Sequence, residues 1–310
     1  MAKSLKRRVA VVAGATRGAG RGIACMLGAA GATVYCTGRS VRGSPSPISR
    51  PETIEETAEM VTARGGVGIW AQVDHRQPEQ VQALFERVRQ EQGRLDILVS
   101  NMSGDQFLTG GMLSGKEPVS FWEYPIAKGL AVQQNSVHTH LITSYYAASL
   151  MVERRLGLIV EITDGNRLGY NSVGVYYSLS KSSLVLLAYL MSEELKPHRV
   201  AVVSLTPGWL RSEQMLDSFG VSEENWQDAL AENPSFEWSE TPFYIGRAVV
   251  ALATDPKVMA KTGRALSAGF VARDYGFTDV DGRQPPGYDV WHGSAIREGV
   301  FRGGCFVPAE

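Results

Sequence analysis

The chain has 310 residues, with 31 Lys plus Arg against 32 Asp plus Glu and a formal net charge of −1. That balance provides no basic stripe to track a polyanion, so no nucleic-acid partner is expected. The longest apolar run, around Val185 to Met191, is too short to span a bilayer, so no membrane partner is expected either.

The length suits one large α/β domain over residues 1–310. Lys3, Lys6, Arg7 and Arg8 read as a solvated leader rather than a targeting signal, because Gly14 and Arg17 interrupt any apolar core. "RVAVVAG" (8–14) reads as a buried strand and "GRGIACMLGAAG" (20–31) as the helix after it. A second strand, "ATVYCTG" (32–38), leads into a Pro/Ser/Gly loop running through Pro47. Helix Glu52–Arg64, strand Val67–Val73, helix Pro78–Gln90 and strand "LDILVS" (95–100) continue the alternation. An irregular segment runs to about Tyr124, and one long helix is expected over roughly Ile126 to Glu153. Strand "GLIVEIT" (157–163), helix Tyr176–Leu195 and strand "VAVVSLTP" (200–207) follow. Such alternation predicts a doubly wound parallel sheet of Rossmann type with helices on both faces. Residues 102–125 and 209–241 break the pattern after strand C-terminal ends, where ligands bind in such sheets. The segment 209–241 is expected to be a substrate loop, and 270–310 an irregular C-terminal extension. Of the three cysteines, Cys25, Cys36 and Cys305, the first two sit in apolar surroundings and suit a reducing cytoplasm.

Two features carry chemistry. Gly14, Gly18 and Gly20 lie between a strand and a helix, where glycines permit a tight turn and a close approach of backbone N–H groups to a pyrophosphate. Tyr177 and Lys181 stand four apart on a helix and share one face. An ammonium beside a phenol favours the phenolate, which suits proton transfer near neutral pH.

With Asp74 after the third strand, "SNMSG" (100–104) after the fourth and "TPGWLRS" (206–212) after the sixth, these features resemble the short-chain dehydrogenase/reductase family. The resemblance covers roughly residues 8 to 270, with the motifs in the family's order. "FWEYP" (121–125) and the stretch 253–283 further resemble the branch typified by dehydrogenase/reductase SDR family member 1. The resemblance implies a bound nicotinamide dinucleotide, cradled by Gly14, Thr16, Arg17, Gly18, Ala19 and Gly20. It places Asp74 at the adenine end, or else as a cap near Pro78, and Asn101 beside the cofactor. Pro207, Gly208, Leu210 and Ser212 would bracket the nicotinamide. Tyr177 would be the proton donor, while Lys181 tunes it and holds the ribose. A homodimer or homotetramer paired through the helices at 126–153 and 176–195 is also implied.

Gly38 stands where an acid would select NAD, with Arg39 next to it and Arg17 in the turn. Two guanidiniums suit a 2′-phosphate, so NADP(H) is the expected cofactor. His138 and His140 lie two apart on a helix and face different ways, so no metal is expected. Aromatic residues concentrate in the two irregular segments: Phe107, Phe121, Trp122 and Tyr124, then Trp209, Phe219, Trp226, Phe236 and Trp238. They read either as packing of long loops or as an apolar pocket with a movable lid.

Two positions depart from the family. The family's helix asparagine falls on Asn135 or Ser136, and its catalytic serine, thirteen positions before the tyrosine, is Asp164. Asp164 has three readings: a buried, protonated donor, which is preferred; an ionised holder of a cationic or N–H-bearing substrate; or a turn cap, leaving Thr163 to supply the hydroxyl. The expected activity is reversible, NADPH-dependent reduction of a carbonyl or related C=X group on a small, apolar molecule. A non-redox cyclase, isomerase or dehydratase is one alternative, and a degenerate NADP-binding protein is another.

Overall fold

Strands β1 (Val9–Ala13), β4 (Ile97–Ser100), β5 (Gly157–Ile162) and β6 (Val200–Thr206) are buried along their whole length. Strands buried on both faces read as continuous apolar runs and need helices above and below. In the computed structural model they form the centre of a sheet with β2 (Thr33–Gly38), β3 (Val67–Gln72) and β7 (Ala265–Ser267). The order is β3-β2-β1-β4-β5-β6-β7, and all seven strands run parallel. The described residues are 4–44, 50–103, 119–165 and 174–287, with the backbone of 299–302 and 305–308. Gly104, Phe107, Asn166, Pro47 and the side chain of Cys305 lie outside them.

Side chains alternate across the sheet and fill two cores. One holds Val12, Val34 and Val203 with helices α1 (Gly18–Ala29) and α8 (Pro242–Thr254). The other holds Val11, Tyr35 and Leu98 with α3 (Pro78–Gln92) and α5 (Thr139–Arg154). Helix α2 (Ile54–Ala63) follows β2, and α6 (Val175–Leu195) leads into β6. The approach of α1 to α8 depends on Gly22, where a Cβ would lie 1.9 Å from the Pro242 carbonyl oxygen. Strand order reverses between β1 and β4, which opens a crevice at their C-terminal ends. The register aligns Ala13 with Ser100, Ser100 with Glu161 and Ile162 with Leu205. The segments that follow these strands therefore emerge along one edge of the sheet.

Two expectations are corrected. The helix over 126–153 is interrupted: α4 (Ile126–Gln133) passes through a π turn at Gln134–His138 into α5. Side-chain bonds to the backbone accompany this break, with Asn135 Nδ2 donating to Ala131 O at 2.8 Å and Thr139 Oγ1 to Ser136 O at 2.8 Å. Second, the last forty residues are not wholly irregular. Helix α9 (Ala268–Tyr275) follows β7, and strands β8 (Gly299–Arg302) and β9 (Cys305–Pro308) extend the sheet. The doubly wound parallel sheet is as expected, and β8 and β9 add an antiparallel edge to its seven parallel strands. Within 209–241, residues Glu213–Ser218 form helix α7. Among the described residues, no helix is long and apolar enough to cross a membrane.

Candidate active site

The turn after β1 is built on backbone that side chains resist. Gly14 and Gly18 hold φ of +81° and +54°, and a Cβ on Gly20 would lie 2.1 Å from Gly14 O. Asn101 Nδ2 donates to Gly14 O at 3.1 Å and ties the end of β4 to this turn. Thr16 and Ala19 are buried within it. The Gly18 N–H, at the start of α1, donates to Glu213 Oε2 at 2.8 Å, and Arg21 Nη1 lies 3.6 Å from Glu213 Oε1. A carboxylate thus sits where a helix N-terminus attracts an anion. Leu210 and Ser212 approach the same glycine: a Cβ there would lie 3.5 Å from Ser212 Cβ and 3.8 Å from Leu210 Cδ2. The Ser212 hydroxyl accepts from Met215 N and caps α7.

Beside this turn lies a group of arginines. Arg17 Nε donates to Glu52 Oε2 at 3.1 Å, and its Nη2 is buried with no hydrogen-bond partner among the described residues. Arg50 bridges Glu52 and Asp217, at 2.7 and 2.8 Å. At the end of β2, half-buried Arg39 is held below its usual pKa by burial first and by the Arg76 and Arg17 guanidiniums next. Asp74 accepts from Arg76 N and pairs with the Arg76 guanidinium, which holds its carboxyl below the usual range. Its own N–H donates to Gln80 Oε1, so Asp74 is engaged at the head of α3.

At the end of β5, Tyr177 Oη donates to Asp164 Oδ2 at 2.6 Å, and Lys181 Nζ lies 5.2 Å from the Tyr177 ring centroid. Asp164 therefore faces the phenol. The Thr163 hydroxyl instead donates to Lys181 O at 2.8 Å, clamping β5 to α6. A glycine turn, an arginine group and a tyrosine–lysine pair thus line one edge of a doubly wound sheet.

A family model described as short chain dehydrogenase matches residues 8–220. The chain belongs to that family. It is 37% identical over 292 residues to the mouse dehydrogenase/reductase SDR family member 1, covering 93% of this chain and 88% of the relative. A short chain dehydrogenase from Mycobacterium thermoresistibile superposes with a TM-score of 0.73 at 22% identity, over 89% of this chain and 90% of the other. A metagenomic short-chain oxidoreductase in complex with NADP gives a TM-score of 0.62 at 24% identity, over 82% and 94%. Short chain dehydrogenases are oxidoreductases that bind a nicotinamide dinucleotide. The glycine cradle and the orphaned Arg17 nitrogen fit such a ligand.

In this short chain dehydrogenase, further contacts support the site that the sequence did not pair. His140 and Glu161 are both fully buried and hydrogen-bonded through Nδ1 and Oε2. His140 Nε2 bonds to Met102 O at 2.9 Å, and Ser144 donates to Glu161 Oε1 at 2.8 Å. A carbonyl only accepts, so Nε2 donates to Met102 O, and Nδ1 is left to face the Glu161 carboxyl. Buried His75 stands between Thr37 and Thr143, each at 2.8 Å, and burial drops its pKa to about 3. The Gly208 N–H donates to Glu240 Oε2 at 2.9 Å, while Glu240 Oε1 is buried and has no partner among the described residues. Burial pushes the Glu240 carboxyl up to about 8. Asn135 and Ser136 are both buried at the π turn, so neither is excluded as the counterpart of the family's asparagine. Trp209, Phe219, Trp226 and Phe236 pack on one another, with Phe236 4.8 Å from Phe219 and 5.2 Å from Trp209.

Proposed function

We propose that this short chain dehydrogenase is an NADPH-dependent reductase of a carbonyl or related C=X group on a small molecule, and that it also runs in reverse. The observation that carries the reading is the Tyr177 phenol at the end of β5 with Lys181 beside its ring. The bound dinucleotide supplies the hydride. The chain positions the substrate and holds a proton at Tyr177 Oη, with Lys181 tuning the phenol and holding the ribose. Pro207, Gly208, Leu210 and Ser212 bracket the nicotinamide end. Phe121 and Trp122, exposed and reached through the Tyr176 hydroxyl on Phe121 O, support an apolar substrate. Leu141 and Tyr145 on α5, with Leu179 and Leu190 on α6, are more than half exposed, which supports a homodimer or homotetramer. Buried, free Cys25 and Cys36 suit a cytoplasmic setting.

Preference for the phosphorylated cofactor rests on Arg17 and Arg39. Arg39 makes no side-chain hydrogen bond or ion pair among the described residues and is disfavoured by its cationic neighbours, so a 2′-phosphate would meet both needs. NADP(H) is expected to bind at least about tenfold tighter than NAD(H), ~1.4 kcal/mol. Arg39→Ala should remove most of that difference in a fluorescence titration; equal affinities in the unmodified protein would contradict the assignment.

Glu213 bears on the same binding step. Its carboxylate occupies the Gly18 N–H, so a pyrophosphate approaching α1 must displace a like charge. Helix α7, which carries it, has no buried residue. Glu213→Gln is expected to tighten dinucleotide binding about tenfold, whichever of the two cofactors is titrated. An unchanged dissociation constant would show that the carboxylate leaves the turn freely.

A non-redox reading also draws on one observation: Asp164 places an acid–base group against Tyr177, which plain carbonyl reduction does not require. A cyclase, isomerase or dehydratase would use both and keep the dinucleotide as a structural part.

A further inference from the structure

Asp164 gives the reacting end of this site a charge that fits one class of substrate better than another. The carboxylate accepts the Tyr177 proton at 2.6 Å, so it acts there as an acceptor. The flanking hydroxyls do not replace the missing neutral donor. Thr163 Oγ1 donates to Lys181 O at 2.8 Å, while Thr206 Oγ1 accepts from Gly165 N at 2.9 Å and donates to Pro207 O at 3.1 Å. A heteroatom held at Tyr177 therefore also meets the Asp164 carboxylate.

The sign of charge that the heteroatom develops decides between substrates. When hydride adds to a ketone, the oxygen becomes negative beside an anion, and the Tyr177 proton it needs is shared with that anion. When hydride adds to a protonated imine, the nitrogen starts positive and ends neutral, never negative, and its N–H donates to the carboxylate throughout. Hydride addition moves electrons toward the heteroatom in both cases; the carboxylate favours the imine because it stabilises the iminium over the neutral imine that enters from water, whereas it raises the energy of the oxyanion formed from the ketone.

We propose that the reacting group is a C=N bond: the enzyme reduces imines to amines and, in reverse, oxidises amines. The imine nitrogen takes one proton from water and binds as the iminium, with N–H donating to Asp164. Its carbon then accepts hydride from a reduced nicotinamide dinucleotide, which is oxidised by two electrons. The C=N π pair becomes the nitrogen lone pair, and a neutral amine leaves. Tyr177 stays protonated and orients the carboxylate. The inference rests on the reductase reading for its hydride and on Asp164 for its selectivity.

The test uses two bicyclic compounds of nearly equal shape, dihydroisoquinoline as imine and tetralone as ketone, with NADPH. Beside turnover, calorimetry compares binding of tetrahydroisoquinoline and tetralol to the NADP-loaded enzyme. The imine should be reduced at least about a hundredfold more efficiently than the ketone, and Asp164→Ser should reverse the order. The amine should bind at least about tenfold tighter than the alcohol. Asp164→Asn should abolish that preference with dinucleotide affinity unchanged. Preference for tetralone in the unmodified enzyme, or amine binding indifferent to Asp164→Asn, overturns the proposal. If neither compound turns over yet the amine preference vanishes with Asp164, the charge assignment stands and the reductase reading falls.

Discussion

Tyr177→Phe is expected to lower turnover about a hundredfold or more while leaving dinucleotide affinity within about twofold. The substitution keeps the ring under Lys181 Nζ but deletes the only proton the phenol holds against Asp164. In carbonyl reduction that proton would meet the developing oxyanion; in imine reduction its loss leaves the carboxylate without its orienting donor. Either way the rate falls while the nucleotide turn, on β1 and α1, is untouched. Lys181→Ala should instead lower turnover and weaken dinucleotide binding together, because its ammonium is assigned both to the phenol and to the ribose. Undiminished turnover in Tyr177→Phe would move the chemistry elsewhere.

The second large effect concerns stability. His140→Leu is expected to lower the free energy of unfolding by about 3–5 kcal/mol, measured by denaturant titration. Glu161 lies within fully buried β5, and besides Ser144 its carboxyl has the His140 imidazole as partner. Removing the imidazole leaves that carboxyl desolvated and partly unpaired, and frees the Met102 carbonyl as well. Adding Glu161→Leu removes the stranded group, so the double variant should recover about half of the loss or more. A double variant as unstable as the single one would show that the loss comes from packing and not from an unpaired buried carboxyl.

The contrast between these two sites shows what could be read along the chain. Tyr177 and Lys181 are four apart on a helix, and Gly14, Gly18 and Gly20 fall within seven residues between a strand and a helix, so local spacing exposes both. The seven-stranded architecture follows from alternating apolar runs, except β7, whose three residues are too few to establish a period. By contrast, Gly18 and Glu213 meet across nearly two hundred residues, Gly208 and Glu240 across a loop, and His140 and Glu161 between a helix and a strand. No spacing rule links such partners, because tertiary folding alone sets their separation. His140 had a visible signal, a histidine on the apolar face of a helix opposite an acid inside an apolar strand. The π turn had one too, in a cluster of Asn, Ser and Thr able to bond the backbone. At Asp164 the departure from serine was evident, but which group faced it was not. Lateral packing of β5 against α6 decides that, with Thr163 held to Lys181 O and Asp164 left to Tyr177.

The central claim is that the chain moves a hydride with Tyr177 at the reacting end. The most direct test supplies NADPH with deuterium on the hydride-donating carbon of the nicotinamide, together with a panel of ketones, aldehydes, enones and cyclic imines. Mass spectrometry then reads the products. The account predicts deuterium on the reduced carbon of at least one product, with NADPH oxidised in equal amount, and little of either in Tyr177→Phe. Product formed with no deuterium and no NADPH oxidised would contradict it and make this a non-redox enzyme that keeps its dinucleotide as a structural part.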